Sequence, residues 1–182
     1  MLSLKNSQCY IDGFSKLSLF VNNEELLFNI KSDAQLRFFK YVECYGQEVV
    51  VFMSDMFKKL FFYTKEGEKL PVVHCVKDTE GWQIESSILE ALKDRKFHYV
   101  DKSTFGSKEL SFMIALTPDK NLDIDVVGFC TDICVVSNVL MLKAAVYNRA
   151  NITVDSSCCA GTSKEMHNEA LNVMKSCQIN II

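Results

Sequence analysis

The chain has 182 residues, 48% of them hydrophobic and 24% charged, and a net charge of -3 at pH 7. That length suits one domain with a real core, and that charge argues against nucleic acid or an anionic membrane surface as a partner. No apolar run reaches the ~18 residues of a transmembrane helix, and Met1 leads into no signal-peptide pattern, so a cytoplasmic location is expected.

Two prolines and seven glycines leave no visible linker or repeat, so residues 1–182 are expected to form one domain. Leu2–Leu4 is predicted as a short first strand. From Glu24 to Glu43, apolar Leu26, Leu27, Ile30, Ala34, Phe38 and Val42 recur at helical spacing. The run Val49–Met53 is continuous and β-branched, as in a strand covered on both faces. A helix at Ile84–Lys93, a strand at Phe97–Val100 and a helix at Ser107–Leu116 follow. Then come a strand at Ile124–Phe129, a helix at Cys134–Asn148, a strand at Ile152–Val154, a helix at Lys164–Ser176 and a strand at Ile179–Ile182. Alternation of this kind predicts a three-layer α/β/α domain around a mostly parallel sheet of about six strands. Active sites of such sheets lie beyond the carboxyl ends of the strands. By this topology Lys5, Asp55, Lys102 and the turn Cys130–Cys134 share one edge.

Eight cysteines invite a metal or disulfide reading, but Cys130-x3-Cys134 and adjacent Cys158–Cys159 match no C-x2-C pair. Most are expected to be reduced, buried and structural. Cys134 differs by context. A strand runs out at Gly128, a polar turn follows, and a helix is predicted to begin at Cys134. A thiol there meets backbone N–H groups and the positive end of the helix dipole, which favours thiolate.

The segment Gly128-Phe129-Cys130-Thr131-Asp132-Ile133-Cys134-Val135 resembles the signature G-x-x-T-D/N-x-C-V of the isochorismatase/nicotinamidase superfamily of cysteine hydrolases. Pro71–Cys75 with Thr79–Trp82, Lys102–Ser107, Ile152–Asp155 and His167-x2-Ala170-Leu171 resemble other blocks of that family, in the right order. The resemblance implies a Cys134 nucleophile, a charge-stabilising Lys102, an oxyanion hole at the N–H groups of Cys130 and Cys134, and a cis peptide at Phe129–Cys130. The expected partners are a small-molecule amide and further copies of the chain, with no cofactor.

Two departures stand out. Aligned on Asp12-Gly13, the family's first-strand run V-x-D-x-Q-x-D-F-x-D-G puts Lys5 where the general-base aspartate belongs. An ammonium cannot take the thiol proton, so that alignment predicts lost or altered hydrolysis, the alternative being an inactive binding or partner subunit. A third reading is reversible oxidation of Cys134 near Cys130. The nicotinamidase metal site is depleted too: Phe57 replaces a histidine, and Asp55 and His74 are too few for a firm site, so no metal is expected. Phe14 and Trp82 are expected to line the pocket for a flat substrate ring, while His98 and His167 read as structural.

Overall fold

The computed structural model describes residues 7–12, 50–55, 64–69, 76–84, 86–91, 93, 97–117 and 122–182. Six strands form one sheet: β1 (Ser7–Asp12), β2 (Val50–Asp55), β3 (Phe97–Lys102), β4 (Leu122–Phe129), β5 (Ala150–Ala160) and β6 (Asn180–Ile181). Their order across the sheet is β3-β2-β1-β4-β5-β6, and every pairing is parallel. The parallel sheet expected from the alternation of strand and helix is therefore present, including the pairing of the segments at Val49, Phe97, Ile124 and Ile152.

The helices are α1 (Lys65–Lys69), α2 (Ser86–Ala91), α3 (Lys108–Ala115), α4 (Val136–Ala145) and α5 (Lys164–Ser176). The chain builds outward from β1 to β3, crosses back, and then builds the other way from β4 to β6. Right-handed crossovers put helices on opposite faces when the building direction reverses, a rule that assigns α2 to one face and α3, α4 and α5 to the other. In keeping with this, α3 packs on α4 and α4 on α5. The predicted helix at Glu24–Glu43 lies outside the described residues.

Local signals explain the boundaries. Ser107 caps α3, its Oγ accepting from the Leu110 N–H at 3.1 Å, and Ser163 caps α5 in the same way through the Met166 N–H at 3.1 Å. β4 is the central strand, and Ile124, Val126 and Val127 on it are fully buried. Leu110 of α3, Val139 and Leu142 of α4, and Met174 of α5 complete the apolar layer on one side of it.

The first described strand is Ser7–Asp12; Leu2–Leu4, predicted as a strand, lie outside the described residues. Cys9-Tyr10-Ile11 supplies its apolar and β-prone centre, while polar Ser7 and Gln8 ahead of it disguise the run as a loop. β5 extends to Ala160 instead of ending at Val154, because its register against β4 shifts between Val126 and Gly128. Asp155 organises the added residues: its Oδ1 accepts from the Ser157 N–H at 2.9 Å and from Ser157 Oγ at 2.6 Å. The carboxylate interrupts the apolar pattern, which is why the strand reads as ending there.

A packing prediction follows. Leu142→Ala removes a fully buried side chain from α4 and should cost about 2–5 kcal/mol, whereas Leu116→Ala, at an exposed site, should change stability by less than about 0.5 kcal/mol. Urea midpoints of the two variants measure this, and equal midpoints would contradict the assigned core.

Candidate active site

An open parallel sheet leaves a crevice outside its carboxyl edge where the strand order reverses, and that is its usual ligand site. Here the reversal lies between β1 and β4. β1 ends on Asp12, whose register partner on β4 is Gly128. Two residues beyond Gly128 begins the turn Cys130–Cys134. Asp55 ends β2 and pairs in register with Lys102, which ends β3.

Lys5 lies outside the described residues, ahead of Ser7 where β1 starts; the residue that closes the carboxyl end of β1 is Asp12.

The turn after β4 is built in layers. Gly128 has φ 139°, a conformation that side chains with a Cβ rarely adopt. The next peptide, Phe129–Cys130, is cis, as the resemblance implies. Thr131–Val135 then forms a π turn rather than the first turn of an α-helix: the Val135 N–H donates to the Cys130 carbonyl at 3.1 Å, and so does the Ile133 N–H, also at 3.1 Å. Such π turns are frequent at functional sites. α4 continues from it, so Cys134 stands in the turn that opens the helix rather than at the first residue of α4.

Cys134 is 6% exposed. Cys130 is half-buried. Lys102 is 3% exposed, so it is not the solvated surface lysine that its position alone would suggest; lysines are almost never fully buried unless paired. Among the described residues Cys130, Cys134, Cys158, Cys159 and Cys177 are free thiols.

Two side-chain bonds hold the turn from below. Thr131, fully buried, shares a 2.8 Å hydrogen bond with His167 Nδ1 on α5. Asp132 accepts from the Thr162 N–H at 2.9 Å and from Thr162 Oγ1 at 2.5 Å. Asp132 thereby ties the turn to the loop between β5 and α5, thirty residues on. Gly161, next to Thr162, makes that approach close: a Cβ there would come within 2.8 Å of Asp132 Oδ1 and 2.9 Å of the His167 backbone N. His167 is thus structural, as expected, but in support of the turn.

Of the pocket candidates, Trp82 lies in a short 3-10 turn, Glu80–Trp82, and is half-buried. Lys77 Nζ stands 5.9 Å from the centre of its ring and 3.7 Å from Asp101, the residue before Lys102. Trp82 is therefore joined to the end of β3 through Lys77, an arrangement that spacing did not reveal. Phe14 and His74 lie outside the described residues, and of Asp55 and His98 only the backbone is described.

A family model, the isochorismatase domain, matches residues 44–182. The chain belongs to the isochorismatase family. Solved members of similar shape include the nicotinamidase of Bacillus subtilis, 16% identical, with TM-score 0.74 over 96% of this chain and 98% of that one. The pyrazinamidase/nicotinamidase of Streptococcus mutans is 19% identical, with TM-score 0.72 over 97% of this chain and 99% of that one. The pyrazinamidase of Pyrococcus horikoshii, solved in complex with zinc, is 18% identical, with TM-score 0.68 over 97% and 98% of the two chains. By sequence alone no curated protein matches. The family match begins after β1, so the end of that strand is located by sheet topology and not by sequence likeness.

The Pyrococcus horikoshii protein was solved with zinc; among the described residues of this chain no three of His, Cys, Asp and Glu gather to hold such an ion. Of the sequence candidates, His74 and Phe57 lie outside the described residues. Among the described residues no helix is long and apolar enough to cross a membrane.

Burial lowers the pKa of His167 below its ordinary 6.5, with Asp132 opposing in part. The unfolded chain therefore binds this proton more readily than the folded one. Stability from this site is present above about pH 6.5 and is lost as pH falls toward the lower folded value. Thermal midpoints should drop between pH 7.5 and 5.5, and drop less in His167→Asn, which has no proton to bind. An equal drop in both proteins would contradict the assignment.

Proposed function

We propose that the chain is a cysteine amidase of the nicotinamidase type, with Cys134 as nucleophile, Lys102 as the charge-stabilising cation and Asp12 as general base. The observation that carries this reading is that β1 ends on Asp12, in register with Gly128 and across the reversal crevice from the Cys134 turn. Carboxylate, ammonium and thiol then sit on strand ends or turns of one sheet edge.

In this reading Asp12 accepts the thiol proton and Cys134 Sγ attacks the amide carbon. The carbonyl oxygen takes negative charge, which the backbone N–H groups of Cys130 and Cys134 receive as an oxyanion hole. The tetrahedral adduct collapses by breaking its C–N bond. Asp12 returns the proton to the departing nitrogen, and ammonia leaves. Water, deprotonated by Asp12, then attacks the thioester and releases the carboxylic acid and the thiol. The buried Lys102 favours both the thiolate and the ionised Asp12 through its positive charge. The printed names of the structural relatives supply the first substrates to try, nicotinamide and pyrazinamide, for which Trp82 and Phe14 offer flat apolar surfaces.

Ammonia release from nicotinamide and pyrazinamide tests the assignment. Cys134→Ala should abolish turnover, and Asp12→Asn should lower it by about 10²–10⁴-fold, as expected for a positioned acid–base group. Lys5→Ala should leave it unchanged. Turnover that survives Asp12→Asn but is lost in Lys5→Ala would return the base to Lys5. No turnover of any small amide by the wild type would favour an inactive binding subunit.

A further inference from the structure

Lys102 and Cys134 come from strands that are not neighbours. β2 and β1 lie between β3 and β4, so three spacings of about 4.8 Å separate the strand ends. Backbone bonds of the sheet do not bring such distant ends together. The loop after β3 has to be drawn toward the turn after β4 by something else.

Asn138, on α4, is 1% exposed and touches both sides. Its Oδ1 accepts from the Ser107 N–H at 2.8 Å. Its Nδ2 donates to the Phe105 carbonyl at 3.0 Å and to the carbonyl of Cys134 itself at 2.9 Å. The orientation of the amide is dictated by its partners, since an N–H only donates and a carbonyl only accepts. One acceptor and two donors within a single short side chain is a combination that Asp, Leu and Ser lack. The backbone of Gly106 completes the seat: a Cβ there would overlap Met141 Sδ of α4. Ser107 also caps α3, so the loop is anchored at its far end.

We propose that Asn138 is a positioning residue that holds the Lys102 loop and the Cys134 turn in one fixed relation, so that the ammonium stays beside the thiol. The proposal rests on the reading of Lys102 and Cys134 as the reacting pair. Asn138 touches no reacting atom and acts through the two elements it ties.

The reactivity of Cys134 toward iodoacetamide as a function of pH is the readout, because it does not require a known substrate. The variants are Asn138→Ser, Lys102→Met and the double variant. Asn138→Ser is chosen because a helical serine can still donate to the carbonyl four residues back, here that of Cys134, while losing both bonds to residues 105 and 107. Asn138→Ala serves as a second, more severe variant, and Lys102→Met keeps the apolar stem without the charge.

In the wild type the apparent pKa of alkylation should lie below the value of about 8.5 of a free cysteine. Asn138→Ser and Lys102→Met should each move it upward, and the double variant should move it no further than Lys102→Met alone. With an amide substrate, kcat of Asn138→Ser should fall by about tenfold or more with little change in KM, since small misplacements of a catalytic group weigh heavily on rate. A wild-type alkylation profile in both Asn138 variants overturns the proposal. So does a wild-type profile in Lys102→Met, and so does a double variant whose shift is the sum of the single ones. If the wild type turns over no amide, the amidase reading fails, while the alkylation profiles still decide the role of Asn138.

Discussion

The molecule depends on one topological constraint, the reversal of sheet building between β1 and β4. Right-handed crossovers cannot place helices on the same face on both sides of such a reversal. The carboxyl edge of such a sheet opens at the reversal. Asp12 and the Cys130–Cys134 turn occupy its two sides. Neither residue would be remarkable elsewhere: one is an aspartate ahead of a glycine, the other a buried cysteine among several.

A crevice positions residues only as well as its walls are held. On the β4 side, the π turn is fastened underneath by Thr131 to His167 and by Asp132 to Thr162. On the β3 side, Asn138 fastens the loop after Lys102. The contacts use buried or half-buried polar groups, which are costly if left unpaired and so enforce a single arrangement. Support for the site thus comes from elements distant in sequence, α4 and α5, and not from the strands that deliver its residues.

Much of this was legible in the sequence, because periodicity and motif agree for the second half of the chain. Continuous apolar runs at Val49 and Ile124 announce strands covered on both faces, and Ser107 and Ser163 mark helix starts at the level of single residues. The signature around Cys134 led directly to the cis peptide at Phe129–Cys130. The first strand was harder. Ser7 and Gln8 dilute its apolar centre to three residues, and Asp12-Gly13 has the composition of a turn. Only the pairing of Tyr10 with Val126 and Asp12 with Gly128 shows which residue reaches the edge. The supports were hidden for a different reason: Asn138 and Asp132 find partners some thirty residues away, and no local pattern encodes a partner at that distance.

Gly161 shows how little separates a working arrangement from a spoiled one. A Cβ on it would come within 2.8 Å of Asp132 Oδ1 and 2.9 Å of the Cβ and backbone N of His167, the two residues to which the π turn owes its fastenings. A methyl group there has nowhere to go except into the space that one of them fills, and the backbone N of His167 belongs to α5 and cannot swing aside as a flexible side chain would. The geometry of the Cys130–Cys134 turn is consequently limited by the absence of a single carbon atom, in a loop some thirty residues away.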